Sequence, residues 1–421
     1  MASIDGPRRR LSYPEARAQV LGAARASPAE IIPLADARGR ALRQALLAPH
    51  ALPPFRNSAV DGFAVRAADL ARASDAQPVA LKVAATIAAG RIAPHGLPPD
   101  ATMRIMTGAM IPAGADAVVP LEDAGAERES ATGAASATAR FARPVGPAAN
   151  VREAGRDLET GAVVLEDGRE LSPHDLALLA SLGFARIPVG PSPRVVVLST
   201  GSELLNVAAP LEPGRIRDSN ALMLRALLEE CGARLLRSER LPDDAMTVQR
   251  AITDGMRDAD VIITVGGVSV GDFDPVRQAI AGLPWIELWR VAMRPGQPQA
   301  FGALDGRLFF GLPGNPASVA CVFEALVRPA LRQLQGFLGL ERPRLEVRAG
   351  AEIESRADRT DFVRATLEWR DGSFWASPAG DQVSGHLTPQ SRAHALVVIP
   401  DERERLARGE TAEALLLRWP G

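Results

Sequence analysis

The sequence predicts a multidomain α/β-plus-β protein centred on a doubly wound parallel sheet, and three observations carry that prediction. First, Arg194–Thr200 (RVVVLST), Val261–Val265 (VIITV) and residues 308–312 (LFFGL) are continuous apolar runs, mostly β-branched or aromatic. Runs of that length without alternation fit strands buried on both faces, as in a parallel sheet covered by helices. Second, each run stops at turn residues: Gly201, Ser202 and Glu203 after the first, Gly266 and Gly267 after the second, Pro313 to Pro316 after the third. Third, helix-like segments lie between the runs, and strand–helix alternation marks a doubly wound sheet.

Taken in order, residues 12–25 and 34–47 read as helices, with Pro14 near the start of the first. Pro53 and Pro54 break the second and open a different composition. From there to about residue 150 the chain offers short apolar segments at 80–85, 103–106 and Ala117–Pro120, which read as a small β-rich module. Residues 127–140, rich in Ala, Ser and Thr, read as a loop or hairpin tip. Residues 172–182 form a helix. Within the α/β part, residues 219–231 begin with Ser219 and Asn220 as cap candidates and carry Leu222, Ala226 and Leu227 at helical spacing. Residues 244–257 begin with an acid and carry Met246, Ala251 and Ile252. Residues 317–334 make another helix, with Asn315 a candidate N-cap and Pro316 suited to the first helical position. Beyond it, residues 344–421 alternate β-like runs such as 362–369 and Ala395–Ile399 with turns, which predicts a separate small β-barrel or sandwich.

A chain of 421 residues holds roughly three domains. Its 47% hydrophobic and 23% charged content is that of an ordinary globular protein. A formal net charge of −2 gives no global basic field for nucleic acid or an anionic membrane. Only one of the basic residues, Lys82, is a lysine. Cys231 and Cys321 have no Cys or His at ligand spacing and read as reduced core thiols. No apolar run reaches membrane length, and MASIDGPRRR has no apolar stretch behind its charges, so a cytoplasmic location is expected. The five histidines form no zinc-type cluster, and there is neither a GxSxG elbow nor a P-loop.

Ligands of doubly wound sheets bind outside the carboxyl ends of the strands, where the three loops fall. Gly266, Gly267 and Gly271 let bare backbone N–H groups approach an anion. Asp272 and Asp274 add two carboxylates at the same mouth, and together these suit a Mg²⁺-bridged phosphate. A glycine-rich turn whose acids face solvent is the plainer reading. Ser269 either donates to a phosphate or bonds its own loop. Asp243 is either a site acid or an N-cap ahead of Asp244.

These loops, GGVSVGDFD at 266–274, STGSEL at 199–204 and GLPGNP at 311–316, resemble the signatures of the MoeA/gephyrin E-domain family, the molybdopterin molybdenumtransferases. So do PFRNSAVDGFA at 54–64, RIMTGAMIPAGADAVVPLE at 104–122, GRDL at 155–158, GRIRDSN at 214–220 and VAMRPGQPQAFG at 291–302. The likeness runs through nearly the whole chain and is weakest after about residue 340.

The resemblance implies an elongated N-terminal domain of residues 1–52 and 150–188, and a β domain inserted at 53–149. The molybdopterin-binding domain would span 189–338 and the C-terminal barrel 339–421. It implies insertion of molybdate into adenylylated molybdopterin with release of AMP. Asp61, Thr107, Glu203, Asp243, Asp274, Arg290 and Arg294 would be catalytic, and Glu203, Asp243 and Asp274 would hold Mg²⁺. Ser199, Thr200, Gly201, Gly266, Gly267, Ser269, Gly271, Pro313, Gly314 and Asn315 would bind the cofactor. Arg364 and Ser384 would join them from a second subunit of a homodimer. Arg290 and Arg294 stand where the family commonly has lysine, and Gln297 stands where it often has a third. A transient contact with the molybdopterin adenylyltransferase is a further expectation. That adenylyltransferase activity itself, or a non-catalytic scaffold of the same fold, are the alternative functions.

Overall fold

The structure, a computed structural model, describes residues 9–126, 138–268 and 275–420. Ser269, Gly271, Asp272 and Asp274 lie outside the described residues, as does most of the 127–140 segment. The chain divides into two compact units, one of residues 1–44, 167–176 and 185–421, the other of residues 45–166 and 177–184.

In the first unit, Arg234–Leu241, Arg194–Thr200, Val261–Val265 and Arg307–Leu312 pair in that order, all parallel. The ladder continues antiparallel through Pro298–Leu304 to Ile286–Arg294. The predicted parallel core is therefore present, and the reason for its unbroken apolar runs is visible. Val195, Val197, Val261 and Ile263 pack on one face with Leu224 and Leu228 of the Ser219–Glu230 helix. Val196, Leu198 and Ile262 pack on the other with Val248 and Ile252 of the Ala245–Asp258 helix. Both helices start at aspartates: the Asp218 carboxylate accepts from Ala221 N at 3.0 Å, and that of Asp244 from Thr247 N at 2.8 Å.

The helix predicted at 317–334 is one helical course with a π turn inside it: Pro316–Val322, Phe323–Val327 and Arg328–Gln335. Pro329 explains the interruption. It has no N–H to return to Ala325 O, and the Tyr13 hydroxyl donates to that carbonyl at 3.5 Å. Gly336, at φ 84°, ends the course in the left-handed cap that favours glycine.

The C-terminal strands close on themselves. Arg344–Ala349 pairs with Ser373–Pro378 and with Thr411–Leu416. Thr360–Arg370 pairs with Ser373–Pro378 and with Ala395–Ile399, which pairs in turn with Thr411–Leu416. That ring is a small barrel, filled by alternating residues such as Val347, Val363, Ala365 and Val397. It is joined to the sheet, because Met293 and Arg294 pair in parallel with Thr360 and Asp361. Arg9–Ser12 pairs in parallel with the same Ile286–Arg294 strand, and Tyr13–Ala23 follows as the first predicted helix, with Ser12 and Glu15 forming a capping box.

The helix predicted at 34–47 does not form. Leu34–Asp36 is a single 3-10 turn, Gly39 is left-handed at φ 72°, and Ala41 and Leu42 make bridges to Glu170 and Val189. Both residues are fully buried by those long-range pairings, which override a helical spacing that is only local. In the second unit, Leu46–Leu47 pairs with Val163–Leu165. Its main feature is a six-stranded sheet over residues 62–141, with Phe63, Val65, Leu81 and Phe141 on one face and Ala64, Met103 and Ile105 on the other. This is the predicted β-rich module.

Candidate functional site

Two cavities open at the carboxyl ends of the parallel strands, and both are lined by Gly267, Gly314 and Asn315. The first, about 670 Å³, has Thr200, Gly201, Glu203, Asp243 and Gly266 in its wall. Backbone shape builds this wall. Gly266 and Gly267 are left-handed, at φ 85° and 72°, and a Cβ on Gly266 would lie 2.9 Å from Thr200 O. Gly201 is at φ 146°, and a Cβ there would meet the folded-back Glu203 carboxylate at 2.5 Å. Asp243 is not a helix cap, the role Asp244 takes; its carboxylate accepts from Ser202 N at 2.8 Å. Glu203 and Asp243 thus line one cavity beside glycine turns, together with the helix-capping Asp218. Ser199 is buried below this mouth, 1% exposed. Its hydroxyl has no hydrogen-bond partner among the described residues.

The second cavity, about 610 Å³, brings in Arg294, Gln297, Pro313, Arg359 and Ser384. Asn315 takes the N-cap position but makes no capping bond; its amide donates instead to Ser384 Oγ at 2.9 Å. Ser384 O also accepts from Ala317 N at 3.1 Å. Asn220, weighed in the sequence only as a helix-cap candidate although it lies in GRIRDSN, donates to Gly314 O at 2.7 Å. The turn is held from both sides, by a helix start and by the barrel.

The placement of Ser384 and Arg364 corrects the expectation that both reach the site from a second subunit. Ser384 meets Asn315 of its own chain. Arg364 is 1% exposed, so it is not an exposed strand residue. Its guanidinium donates to the carbonyls of Asp381, Val383 and His386 at 3.0–3.2 Å, and to Gln382 Oε1 at 3.3 Å. Arg364 therefore holds the loop that carries Ser384. Arg290 and Arg294, expected around one oxyanion, open onto different cavities. Arg294 lines the second, 3.8 Å from the Asp361 carboxylate, and Arg290 lines a third. Arg359, which binds Asp361 at 2.8 Å, was not foreseen. Its only sequence signal was charge in a region of loose likeness.

Asp61 and Thr107 meet within the second unit. One carboxylate oxygen of Asp61 accepts from Thr107 N at 2.6 Å and from Thr107 Oγ1 at 2.8 Å. The backbone bond, and then the hydroxyl bond, hold the Asp61 carboxyl below the usual aspartate range. Both cysteines are buried, and burial pushes the Cys231 thiol up to about 12, as expected for inert core thiols. Among the described residues, no three His, Cys, Asp or Glu side chains cluster as a metal site, and no helix is long and apolar enough to cross a membrane. A larger cavity, about 1060 Å³, runs along Ser219–Glu230 and the edge strand Arg234–Leu241, and none of the glycine turns lines it.

A doubly wound sheet with glycine turns at its ligand edge, bonded to a small barrel that reaches back to the same turns, defines an α/β ligand-binding protein with flanking domains. The comparisons bear this out along the chain. Residues 11–183 match the MoeA N-terminal region (domain I and II), 196–333 a probable molybdopterin binding domain, and 346–417 the MoeA C-terminal region (domain IV). The chain is 37% identical over 390 residues to molybdopterin molybdenumtransferase 2 of Mycobacterium tuberculosis, covering 90% of this chain and 92% of that one. It is 37% identical over 401 residues to the molybdopterin molybdenumtransferase of Bacillus subtilis, covering 93% and 92%. Among solved structures, a molybdopterin biosynthesis MoeA protein from Pyrococcus horikoshii superposes with a TM-score of 0.81 at 30% identity, covering 98% of this chain and 100% of that one. The chain belongs to the MoeA family, enzymes of molybdenum cofactor biosynthesis.

Proposed function

We propose that this enzyme inserts molybdate into adenylylated molybdopterin with release of AMP. The observation that supports it most is the meeting of two unlike cavities at one turn, Gly314 and Asn315. One wall offers backbone turns and carboxylates, which suit a phosphate chain carrying a hard cation. The other offers guanidiniums, which suit an oxyanion. A substrate lying across the turn would place its phosphoanhydride against Glu203 and Asp243 and its dithiolene toward Arg294 and Arg359. Mg²⁺ would be held by Glu203 and Asp243, an all-oxygen donor pair that fits it, and would neutralise phosphate charge and polarise the anhydride. Gly266, Gly267 and Gly314 would orient the phosphates through backbone N–H groups, and Asn315 would fix the turn through Ser384. No protein nucleophile is required: water accepts the adenylyl group, and the dithiolene sulfurs themselves bind the molybdenum.

The same reading takes the protein as a cytoplasmic homodimer, with Asp61 and Thr107 of one subunit serving the α/β site of the other. It also keeps the four-domain division expected from the sequence. Asp274, Asp272, Ser269 and Gly271 would complete the phosphate loop. The test is AMP release from adenylyl-molybdopterin with Mg²⁺, with and without molybdate. Release should require molybdate, and Asp243→Asn should slow it on the order of 100-fold, the effect of losing one metal-binding carboxylate. Release that ignores molybdate, or an Asp243→Asn variant at full rate, would sink the reading.

A further inference from the structure

The third cavity, about 550 Å³, is lined by Arg10, Arg290, Arg356 and Arg359, with Ser12, Ala292, Gln297 and the single carboxylate of Asp358. Its positive wall is built into the sheet. Arg10 and Arg290 are direct partners in the parallel ladder between Arg9–Ser12 and Ile286–Arg294, so their side chains stand side by side on one face. Like charges at that position are destabilising unless something of opposite sign lies between them. Nothing on the ladder does so. On its other side Arg290 pairs with Pro298. The neighbouring Arg9 has Glu287 at 3.3 Å, while Arg10, Arg290 and Arg356 make no ion pair with a described carboxylate. The nearby Glu15 carboxylate is taken up by the Ser12 N–H and hydroxyl, at 2.8 and 2.9 Å. Arg359 is already neutralised by Asp361, so the excess charge belongs to the other three guanidiniums.

The geometry points to a second oxyanion site at Arg10, Arg290 and Arg356, adjoining the cavity of Arg294. Gln297 and Arg359 line both cavities and form the wall between them. Its ligand is a small multiply charged tetrahedral anion, bound by planar guanidinium forks. This arrangement also explains how the chain tolerates Gln297. The cation absent at that position is offset by arginines from two other segments, one on the N-terminal strand and one in the barrel turn. That the site exists as an anion site rests on the arginine cluster alone. That it holds molybdate ahead of transfer rests on the transferase reading.

Equilibrium dialysis of the full chain against molybdate tests it, with sulfate and AMP as competitors. The wild-type chain should bind two molybdates, and the Arg10→Ala/Arg356→Ala double variant should lose roughly tenfold or more affinity at one of them, more steeply at low salt. Arg294→Ala should weaken the other. A melting curve on each variant separates lost binding from lost folding, and Arg10→Lys/Arg356→Lys should restore part of the affinity in a chain of the same charge. AMP displacing the anion only at the Arg10 site identifies a phosphoester as its natural ligand; sulfate alone displacing it identifies a free oxyanion. Either supports the site. A single molybdate in the wild-type chain, or two that the double variant leaves unchanged, overturns it. These readouts are independent of AMP release, so a failed transferase assay beside two-site binding removes the function and leaves the site.

Discussion

The two walls of the candidate cleft are made of different material. The wall at Gly201, Gly266 and Gly314 is backbone, held by strand ends and by bonds such as that from Asn220 to Gly314 O. The opposite wall, at Arg294, Gln297 and Arg359, is the far ends of long side chains. A backbone wall fixes where a phosphate sits but tolerates almost no substitution. A side-chain wall fixes only the sign of the charge, so arginine can replace lysine there, and glutamine can appear if a neighbour supplies the cation. One wall sets position and the other sets charge.

The contrast can be broken most severely at Arg364, which supports the side-chain wall from below. Arg364→Ala leaves the carbonyls of Asp381, Val383 and His386 without their donor. It should lower stability by about 2–4 kcal/mol in urea melts and loosen the Ser384 loop. An unchanged midpoint would mean that the loop holds itself. Gly266→Ala attacks the backbone wall. The new Cβ would face Thr200 O at 2.9 Å in a left-handed residue, at about 1–3 kcal/mol, and AMP release should fall with it. Gln297→Lys adds a cation to the tolerant wall and should tighten molybdate binding only a few-fold, under about 1 kcal/mol. A larger gain would show that the surrounding arginines do not offset the missing charge. Thr107→Val is the subtlest. It removes the hydroxyl bond to Asp61 and keeps the backbone one. The depressed Asp61 carboxyl stabilises the fold above the ordinary aspartate range, and this is lost as pH falls through its folded value. The variant's titration midpoint, followed by carboxyl-carbon NMR, should move up, so that the stabilisation is smaller above the ordinary aspartate range and is gone by a higher pH.

What the sequence disclosed follows the same division. Val261–Val265 was legible to the residue because a strand covered on both faces must be apolar throughout, and its β-branched residues and the Gly266-Gly267 stop mark it as a strand and not a buried helix. The acid opening the Ala245–Asp258 helix was legible too, since a cap is a local event. Residues 34–47 were not, because Ala41 and Leu42 are buried by partners more than 120 residues away. The start at Asp218 lay one residue ahead of the two caps considered. Arg359, Arg364 and the Ser384 contact were hidden for a related reason. Closing the barrel brings residue 384 to residue 315, and neither segment carries a mark of the other.

The strand Ile286–Arg294 is hydrogen-bonded at once to Arg9–Ser12, to Pro298–Leu304 and, at its last two residues, to the barrel strand Thr360–Arg370. A ladder shared in this way couples the opening of its members. Amides at 291–294 and at 360–361 should exchange with solvent as one cooperative block, and a cut near residue 340 would strip the Arg294 end of that strand of its outer partner. The barrel is thus no detachable appendage: the fluctuations that expose the Arg294 wall and those that open the barrel should be the same event.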